Sequence, residues 1–201
     1  MLKIGITGNI GSGKTTVSKL FELMGIPIFY ADDAAKILMV TDEVLIAGIK
    51  QTFGAQSYFD DRTLNRKHLA NIVFHDETQL AKLNALVHPA VFRAFDSWAE
   101  QEVKDDVPYV LKEAAVLFES SSYKFCDKTI MVTAPLELRI KRVMHRDDIT
   151  RQEVLNREAR QFSEEKKIQL ADYVIRNDES ELVIPQVLKL HQEFLSLVNG
   201  N

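Results

Sequence analysis

The segment from Gly8 to Thr15 combines glycines, one lysine and a hydroxyl group in a spacing that suits phosphate binding. Gly8 is followed by four residues and then by Gly13, Lys14 and Thr15, which fits the phosphate-loop pattern G-x-x-x-x-G-K-[ST]. Glycine has no β-carbon, so backbone amides can close around phosphate oxygens at the start of a helix. The pattern predicts a binding site for a nucleoside triphosphate. Its residues are Gly8, Asn9, Ile10, Gly11, Ser12, Gly13, Lys14, Thr15 and Thr16.

Two side chains of this loop are also candidates for catalysis. Lys14 is expected to reach the β- and γ-phosphates of ATP, and the hydroxyl of Thr15 is expected to bind Mg²⁺. The alternative is a glycine-rich turn that only connects a strand to a helix. The apolar run before the loop and the helical pattern after it favour the phosphate loop, so ATP is the expected donor and Mg²⁺ the expected cofactor.

Two carboxylates stand at the ends of predicted strands. Asp32 follows the apolar run 26–30, where a carboxylate can accept the proton of an acceptor hydroxyl. The alternative for Asp32 is the N-cap of the next helix. Glu113 ends the run 108–112 and is a candidate for holding Mg²⁺ through water. An ion pair of Glu113 with Lys112 on the surface is the alternative there.

Arginines concentrate in the segment 139–167, which carries nine Lys/Arg residues and six Asp/Glu residues. Arg142 and Arg146 are four residues apart and therefore share one face of a predicted helix. The planar guanidinium group suits phosphate oxygens, so a closing lid would bring these two arginines onto the transferred phosphoryl group. A charged face that only meets solvent is the alternative interpretation.

The surrounding pattern alternates short apolar runs with helical periodicity. Strands are predicted at 2–7, 26–30, 108–112, 128–133 and 173–176. The intervening region 32–105 is almost wholly helical, with separate helices over 77–87 and 89–104. Strands separated by helices predict an α/β fold with a parallel sheet covered on both faces. Ligands of such sheets bind at the carboxyl ends of the strands.

Length and composition limit the classes of protein to which this chain can belong. The 201 residues are 46% hydrophobic and 27% charged, which is ordinary for a globular protein. A net charge of −4 argues against a general nucleic-acid binder. Cys126 is the only cysteine, so no internal disulfide is possible. Neither a signal peptide nor a membrane span is expected, so we expect a cytoplasmic monomer or small homo-oligomer.

The motifs of a GTPase are missing from the sequence. A guanine-binding N-K-x-D and a D-x-x-G switch do not occur. A carboxylate at a strand end, a helical insertion and an arginine-rich segment instead favour a kinase that acts on a small molecule.

Several motifs together resemble dephospho-coenzyme A kinase over essentially the whole chain. They are Gly8 to Thr16, Ala31-Asp32, Leu86-Val87-His88-Pro89, Val116-Leu117-Phe118-Glu119, Lys141-Arg142, Arg146-Asp147 and Ala171-Asp172-Tyr173-Val174-Ile175 with Asn177. The resemblance implies transfer of the γ-phosphate of ATP to the ribose 3′-hydroxyl of dephospho-coenzyme A. It also implies that Asp32 is the catalytic base and that Arg157 and Gln161 belong to the lid. Asn177 is interpreted either as an adenine contact or as a turn residue.

The resemblance further implies three parts. A P-loop NTPase-type core is expected at 1–31, 106–137 and 171–201, a helical acceptor domain at 32–105 and a helical lid at 138–170. Two positions depart from the usual motifs of the family, because Tyr30 replaces an aspartate and Ala115 replaces a proline.

Two other functions remain open on the sequence alone. One is a kinase for a different small metabolite. The other is an ATP-binding regulatory module, whose lid signals occupancy to a partner and which would not need Asp32.

Overall fold

The structure, a computed structural model, describes residues 1–74, 76–102 and 107–200. The strands are β1 Leu2–Thr7, β2 Ile28–Tyr30, β3 Tyr109–Glu113, β4 Lys128–Thr133 and β5 Tyr173–Arg176. The helices are α1 Lys14–Leu23, α2 Ala31–Thr41, α3 Glu43–Phe53, α4 Arg66–Val73, α5 Glu77–Glu102, α6 Leu136–Asp147, α7 Arg151–Glu158, α8 Glu164–Leu170 and α9 Val183–Asn199. The predicted α/β fold is confirmed.

The strands form one parallel sheet in the order β2-β3-β1-β4-β5. In the central strand β1, Ile6 lies opposite Glu113 of β3 and opposite Ile130 of β4. Parallel strands end at the same edge of the sheet, so the residues that follow β1, β3 and β4 come together there. The architecture is that of a P-loop NTPase.

The described chain divides into two compact units, of which the first holds Met1–Tyr30 and Ala99–Asn201. Its core lies between the sheet and the helices α1 and α9. The buried apolar residues of this core are Ile4, Ile6, Val17, Phe21, Ile26, Tyr109, Leu111, Ile130, Val132, Ile175, Val187, Leu190 and Phe194. These side chains fix α1 against the sheet, and α1 begins directly at the predicted phosphate loop.

The second unit, Ala31–Trp98, is helical and has its own core. The core is formed by Leu45, Ile46, Ile49, Phe53, Tyr58, Leu69 and Ala90. Asp42 caps α3 by accepting a hydrogen bond from the amide of Leu45 at 2.9 Å. The hydroxyl of Tyr58 donates to the carbonyl of Met39 at 2.7 Å, so the loop after α3 is tied to the end of α2.

The predicted break between two helices at Pro89 is wrong. One helix, α5, runs through Pro89 from Glu77 to Glu102, and the predicted end at Lys104 lies outside the described residues. Proline inside a helix costs about 3 kcal/mol because it lacks an N–H group and crowds the preceding turn. Apolar residues on both sides of Pro89 offset this cost, since Leu86 packs on the helical core before it and Ala90 is buried in that core after it.

Side chains cap the starts of two helices. Thr150 and Glu153 form a capping box at the start of α7, and Ser163 caps α8 through the amide of Lys166. Between α6 and α7 the chain turns at Asp148, which has a positive φ of 52°. Within the described ranges, every helix is too short or too polar to cross a membrane.

Phe21 tests the core that supports α1. Its side chain is fully buried and packs edge-on against Tyr109, with the ring centroids 6.4 Å apart. We expect Phe21→Ala to lower the free energy of unfolding by about 3–5 kcal/mol, because a large cavity would form. Chemical denaturation measures the change. The control is Leu23→Ala in the same helix, where the side chain is 83% exposed, and a comparable loss in both variants would contradict this account of the core.

Candidate active site

The phosphate loop connects β1 to α1, as the motif predicts. The amide of Ser12 donates to the carbonyl of Asn9 at 3.0 Å, and the amide of Val17 donates to the carbonyl of Gly13 at 3.1 Å. The first amides of a helix have no partner within that helix, and the helix dipole adds positive potential there. The start of α1 is therefore suited to bind an anion.

Glycine is required at two positions of the loop. Gly13, the N-cap of α1, has a φ of 89°, and Gly11 has a φ of 80°. A β-carbon at Gly13 would overlap the side-chain amide of Asn177, and one at Gly11 would lie 2.5 Å from the carbonyl oxygen of Arg139. The loop thus packs closely on α6 and on the segment after β5, and no larger residue fits.

Lys14 is paired with Glu113 across the carboxyl edge of the sheet. The distance between Lys14 Nζ and Glu113 Oε1 is 2.5 Å, and the two side chains are 18% and 5% exposed. Glu113 therefore does not form the surface ion pair with Lys112 that the sequence allowed, because both residues are buried. The parallel register of β1 and β3 places the carboxylate beside the lysine of the loop.

A cavity of about 630 Å³ opens over the phosphate loop, a volume typical of small-molecule sites. Its wall includes every residue from Gly8 to Thr16. Among the described residues, the positively charged side chains of the wall are Lys14, Arg142, Arg146, Arg157 and Arg160. The cavity therefore combines a phosphate-binding loop with a cationic roof contributed by α6, α7 and the residues just after α7.

Carboxylates and a carbonyl hold three of these arginines. Asp147 accepts two hydrogen bonds from Arg146, at 2.7 and 3.0 Å, and a third from Arg157 at 3.0 Å. The bonds with Arg146 lower the pKa of the Asp147 carboxyl group below its usual value. Arg142 donates to the carbonyl of Asn177 at 3.1 Å and to Glu179 at 3.4 Å. These contacts orient the three guanidinium groups at the cavity wall, where Arg146 and Arg157 remain half or more exposed.

Gln161, three residues after the end of α7, attaches this part of the chain to the phosphate loop. Its Oε1 accepts from the amide of Ile10 at 2.9 Å, and its Nε2 donates to the carbonyl of Ala115 at 3.1 Å. Gln161 also lines the cavity. One carboxamide therefore connects the phosphate loop, the segment after β3 and the arginine-rich segment.

The other predicted site residues lie as follows. Asn177 donates from Nδ2 to the carbonyl of Ser12 at 2.8 Å, so its side chain supports the backbone of the phosphate loop. Asp32 belongs to the helical unit, where it is the second residue of α2 and lies in its first turn rather than at the N-cap. The structure therefore groups the predicted residues of the loop, Glu113, Asn177 and the arginines within the first unit.

The residues beside the loop fit a magnesium ion held together with phosphate oxygens. Glu113 Oε2 is buried and accepts no hydrogen bond from the described part of the chain. Thr15 is exposed and lies in the cavity wall. Groups of three or more His, Cys, Asp or Glu side chains that could hold a metal ion do not occur in the described ranges. One carboxylate, one hydroxyl and substrate oxygens are the environment that Mg²⁺ commonly uses.

Sequence reasoning missed a set of buried charges around the site. Lys167 is fully buried and donates to Glu119 at 2.9 Å and to the carbonyl of Ala115 at 3.1 Å. Burial lowers the pKa of the Lys167 ammonium group, and its hydrogen bond to Glu119 opposes that shift. Arg139 is 3% exposed and pairs with Glu158 at 2.7 Å. The sequence of α8, EEKKIQL, is rich in charged residues, so no sequence signal marked Lys167 as buried.

Comparison with known proteins decides the family. The family model for dephospho-CoA kinase (CoaE) matches residues 2–182. The chain belongs to the dephospho-CoA kinase family. Dephospho-CoA kinases of Salinibacter ruber and Bacteroides fragilis are 42% and 38% identical to it, over 89% and 94% of this chain and 89% and 91% of theirs. A crystal structure of a Thermus thermophilus protein, 36% identical, superposes with a TM-score of 0.82 over 96% of each chain.

Arg146 tests the cationic roof of this kinase. We expect Arg146→Ala to reduce turnover by about 100-fold or more, because a charge that would face the transferred phosphoryl group is lost. The thermal midpoint should shift by less than about 2 °C, since the side chain is 64% exposed.

The matched control is Arg151→Ala, which removes an exposed pair with Glu137 and should leave turnover nearly unchanged. Normal turnover together with early unfolding of Arg146→Ala would show that Arg146 has only a structural role.

Proposed function

We propose that this protein transfers the γ-phosphate of ATP to the ribose 3′-hydroxyl of dephospho-coenzyme A, which gives coenzyme A. The observation that carries the proposal is the cavity over the phosphate loop, lined by Lys14 and four arginines, in a chain of the dephospho-CoA kinase family. Phosphoryl transfer depends mainly on positioning and on neutralising negative charge. A phosphate loop under a cationic roof provides both.

Lys14 is proposed to move from Glu113 to the β- and γ-phosphates when ATP binds. Its ammonium group then stabilises the negative charge that builds up between these phosphates during transfer. Arg142 and Arg146 are proposed to bind oxygens of the transferred group from the opposite side. Their present partners, Glu179 and Asp147, are carboxylates, which supports a role of both guanidinium groups in binding anionic oxygens.

Asp32 is proposed as the base that accepts the proton of the ribose hydroxyl. It lies two residues beyond the carboxyl end of β2, and β2 pairs with β3 in the register Tyr30 opposite Glu113. General-base catalysis contributes about 10²–10⁴-fold to the rate, so loss of Asp32 should be severe.

Thr15 and Glu113 are proposed to hold Mg²⁺, which when bound neutralises phosphate charge and orients the triphosphate. Thr15 would bind the ion directly through its hydroxyl group. Glu113 would hold it through water by way of Oε2, the oxygen that accepts no hydrogen bond in the described chain. Asn177 is proposed to contact adenine while its Nδ2 supports the loop.

The three predicted parts are retained as functional assignments. Residues 1–31, 106–137 and 171–201 are proposed to bind the nucleotide, 32–105 to bind dephospho-coenzyme A and 138–170 to close over ATP. The helical unit Ala31–Trp98 has a core of its own, which supports a separate role in acceptor binding. The boundary near 105 lies outside the described residues.

The protein is further proposed to act in the cytoplasm as a monomer or small homo-oligomer. The net charge of −4 supports small-molecule substrates rather than nucleic acid as its partners.

The acceptor can be identified with one screen. We expect ATP- and Mg²⁺-dependent phosphorylation of dephospho-coenzyme A, and little with adenosine, nucleoside monophosphates or shikimate. Mass spectrometry and phosphorus NMR identify the product and the phosphorylated hydroxyl. Preference for another acceptor would indicate a different metabolite kinase, and ATP binding without transfer to any acceptor would indicate a regulatory module.

Asp32→Asn tests the proposed base. The variant should lose nearly all transfer while its affinity for ATP stays within about twofold, because the carboxylate acts on the acceptor hydroxyl. Asp33→Asn is the control, since Asp33 lies in the same helical turn, is 67% exposed and pairs with Lys36. If Asp32→Asn keeps most of its rate, the hydroxyl loses its proton to phosphate or water instead.

A further inference from the structure

One carboxylate joins the phosphate loop to two helices of the arginine-rich segment. Glu158, the last residue of α7, accepts from Asn9 Nδ2 through Oε1 at 3.0 Å. Its other oxygen, Oε2, accepts from Arg139 Nη1 of α6 at 2.7 Å. Asn9 and Arg139 are 1% and 3% exposed, and the Glu158 side chain is 19% exposed. The contact is therefore largely shielded from water. Charge-assisted hydrogen bonds are strong in such a buried place.

The two partners of Glu158 require two acceptors. Asn9 Nδ2 also donates to the carbonyl of Phe162 at 3.1 Å, so this side chain must present its nitrogen to Glu158. Arg139 carries only donors. The two donors meet different oxygens of Glu158, so a glutamine at position 158 would present its NH₂ group to one of them and could not accept from both in this geometry. Among side chains of this length, only a carboxylate satisfies both donors.

The contacts of Glu158 with Asn9 and Arg139, called the Glu158 bridge below, also fix groups that line the cavity. Arg139 Nη1 donates a second hydrogen bond to the carbonyl of Ile10 at 3.3 Å, and the amide of Ile10 donates to Gln161. The chain neighbour of Glu158 on α7, Arg157, lines the cavity with Gln161. The position of these groups over the loop thus depends on where Glu158 is held.

We propose that Glu158 is a positioning residue for nucleotide binding, which acts through Asn9 and Arg139 to set the phosphate loop against the arginine-rich helices. The proposal rests on the proposed function only for the identity of the nucleotide. Glu158 contacts the loop and α6 rather than substrate, so its effect passes through the loop backbone and through Arg157.

The test is the affinity of Glu158→Gln for ATP, measured by calorimetry without any acceptor. We expect the dissociation constant to rise by about tenfold or more, because one buried donor loses its partner and the loop is no longer fixed. Hydrogen exchange followed by mass spectrometry should show faster exchange in the loop peptide that contains Ile10, with unchanged exchange in β1 and β4. Because no acceptor is present, a wrong acceptor assignment does not affect this result.

Glu137→Gln is the matched control. Glu137 lies on α6 and pairs with Arg151 at the surface, so its variant should bind ATP normally. A purely structural role for Glu158 would lower the thermal midpoint of Glu158→Gln without changing ATP affinity or loop exchange, and that result would overturn the proposal.

A second variant covers the case in which Glu158→Gln does not fold. Asn9→Ala removes the hydrogen bonds that Asn9 Nδ2 donates to Glu158 and to the carbonyl of Phe162, and it keeps the pair of Glu158 with Arg139. It should weaken ATP binding to a similar extent, and in the double variant the two effects should combine to less than their product. Normal ATP affinity of Asn9→Ala, or effects that multiply fully, would contradict the proposed bridge.

Discussion

The parallel register of β1 and β3 is the constraint on which the site depends. With Ile6 opposite Glu113, the strand that leads into the phosphate loop and the strand that ends in a carboxylate finish at the same level. A shift of one residue would turn Glu113 to the other face of the sheet, because side chains alternate along a strand. The register is held by the apolar core between the sheet and α1 and α9, so the chemistry of the site relies on packing some distance away.

The pair formed by Lys14 and Glu113 follows from this register. Its net contribution to stability differs from the cost of removing one partner. Each charge is largely buried, and a buried ion pair stabilises a protein little, since both ions lose their hydration. Removal of either partner alone would nevertheless leave a costly unpaired charge. The pair is therefore better understood as a way of holding a lysine and a carboxylate side by side at the phosphate loop than as a source of stability.

Local patterns predicted the parts of this protein that local interactions determine. The phosphate loop and the strands could be recognised because their signals lie within a few residues. The continuous helix through Pro89 could not, because apolar packing in the helical unit outweighs the local preference of proline.

The same distinction applies to the site. The glycine and lysine spacing marked the loop, and the spacing of Arg142 and Arg146 marked one face of α6. Asn9 and Glu158, in contrast, are 149 residues apart in sequence, and nothing near either residue indicates its partner. Burial of Lys167 is likewise a tertiary effect, since α8 looks solvent-exposed in sequence.

The distribution of charge has a consequence for how fast a nucleotide arrives. The chain as a whole is acidic, with a net charge of −4, yet the described wall of the cavity gathers five cationic side chains around the phosphate loop. A concave positive region attracts an anion over distances comparable to the Debye length, which is about 8 Å at physiological ionic strength. The acidic remainder repels the same anion. Association of ATP should therefore slow as salt is added, with the dissociation rate much less affected, and encounters should be directed to the cavity rather than spread over the surface.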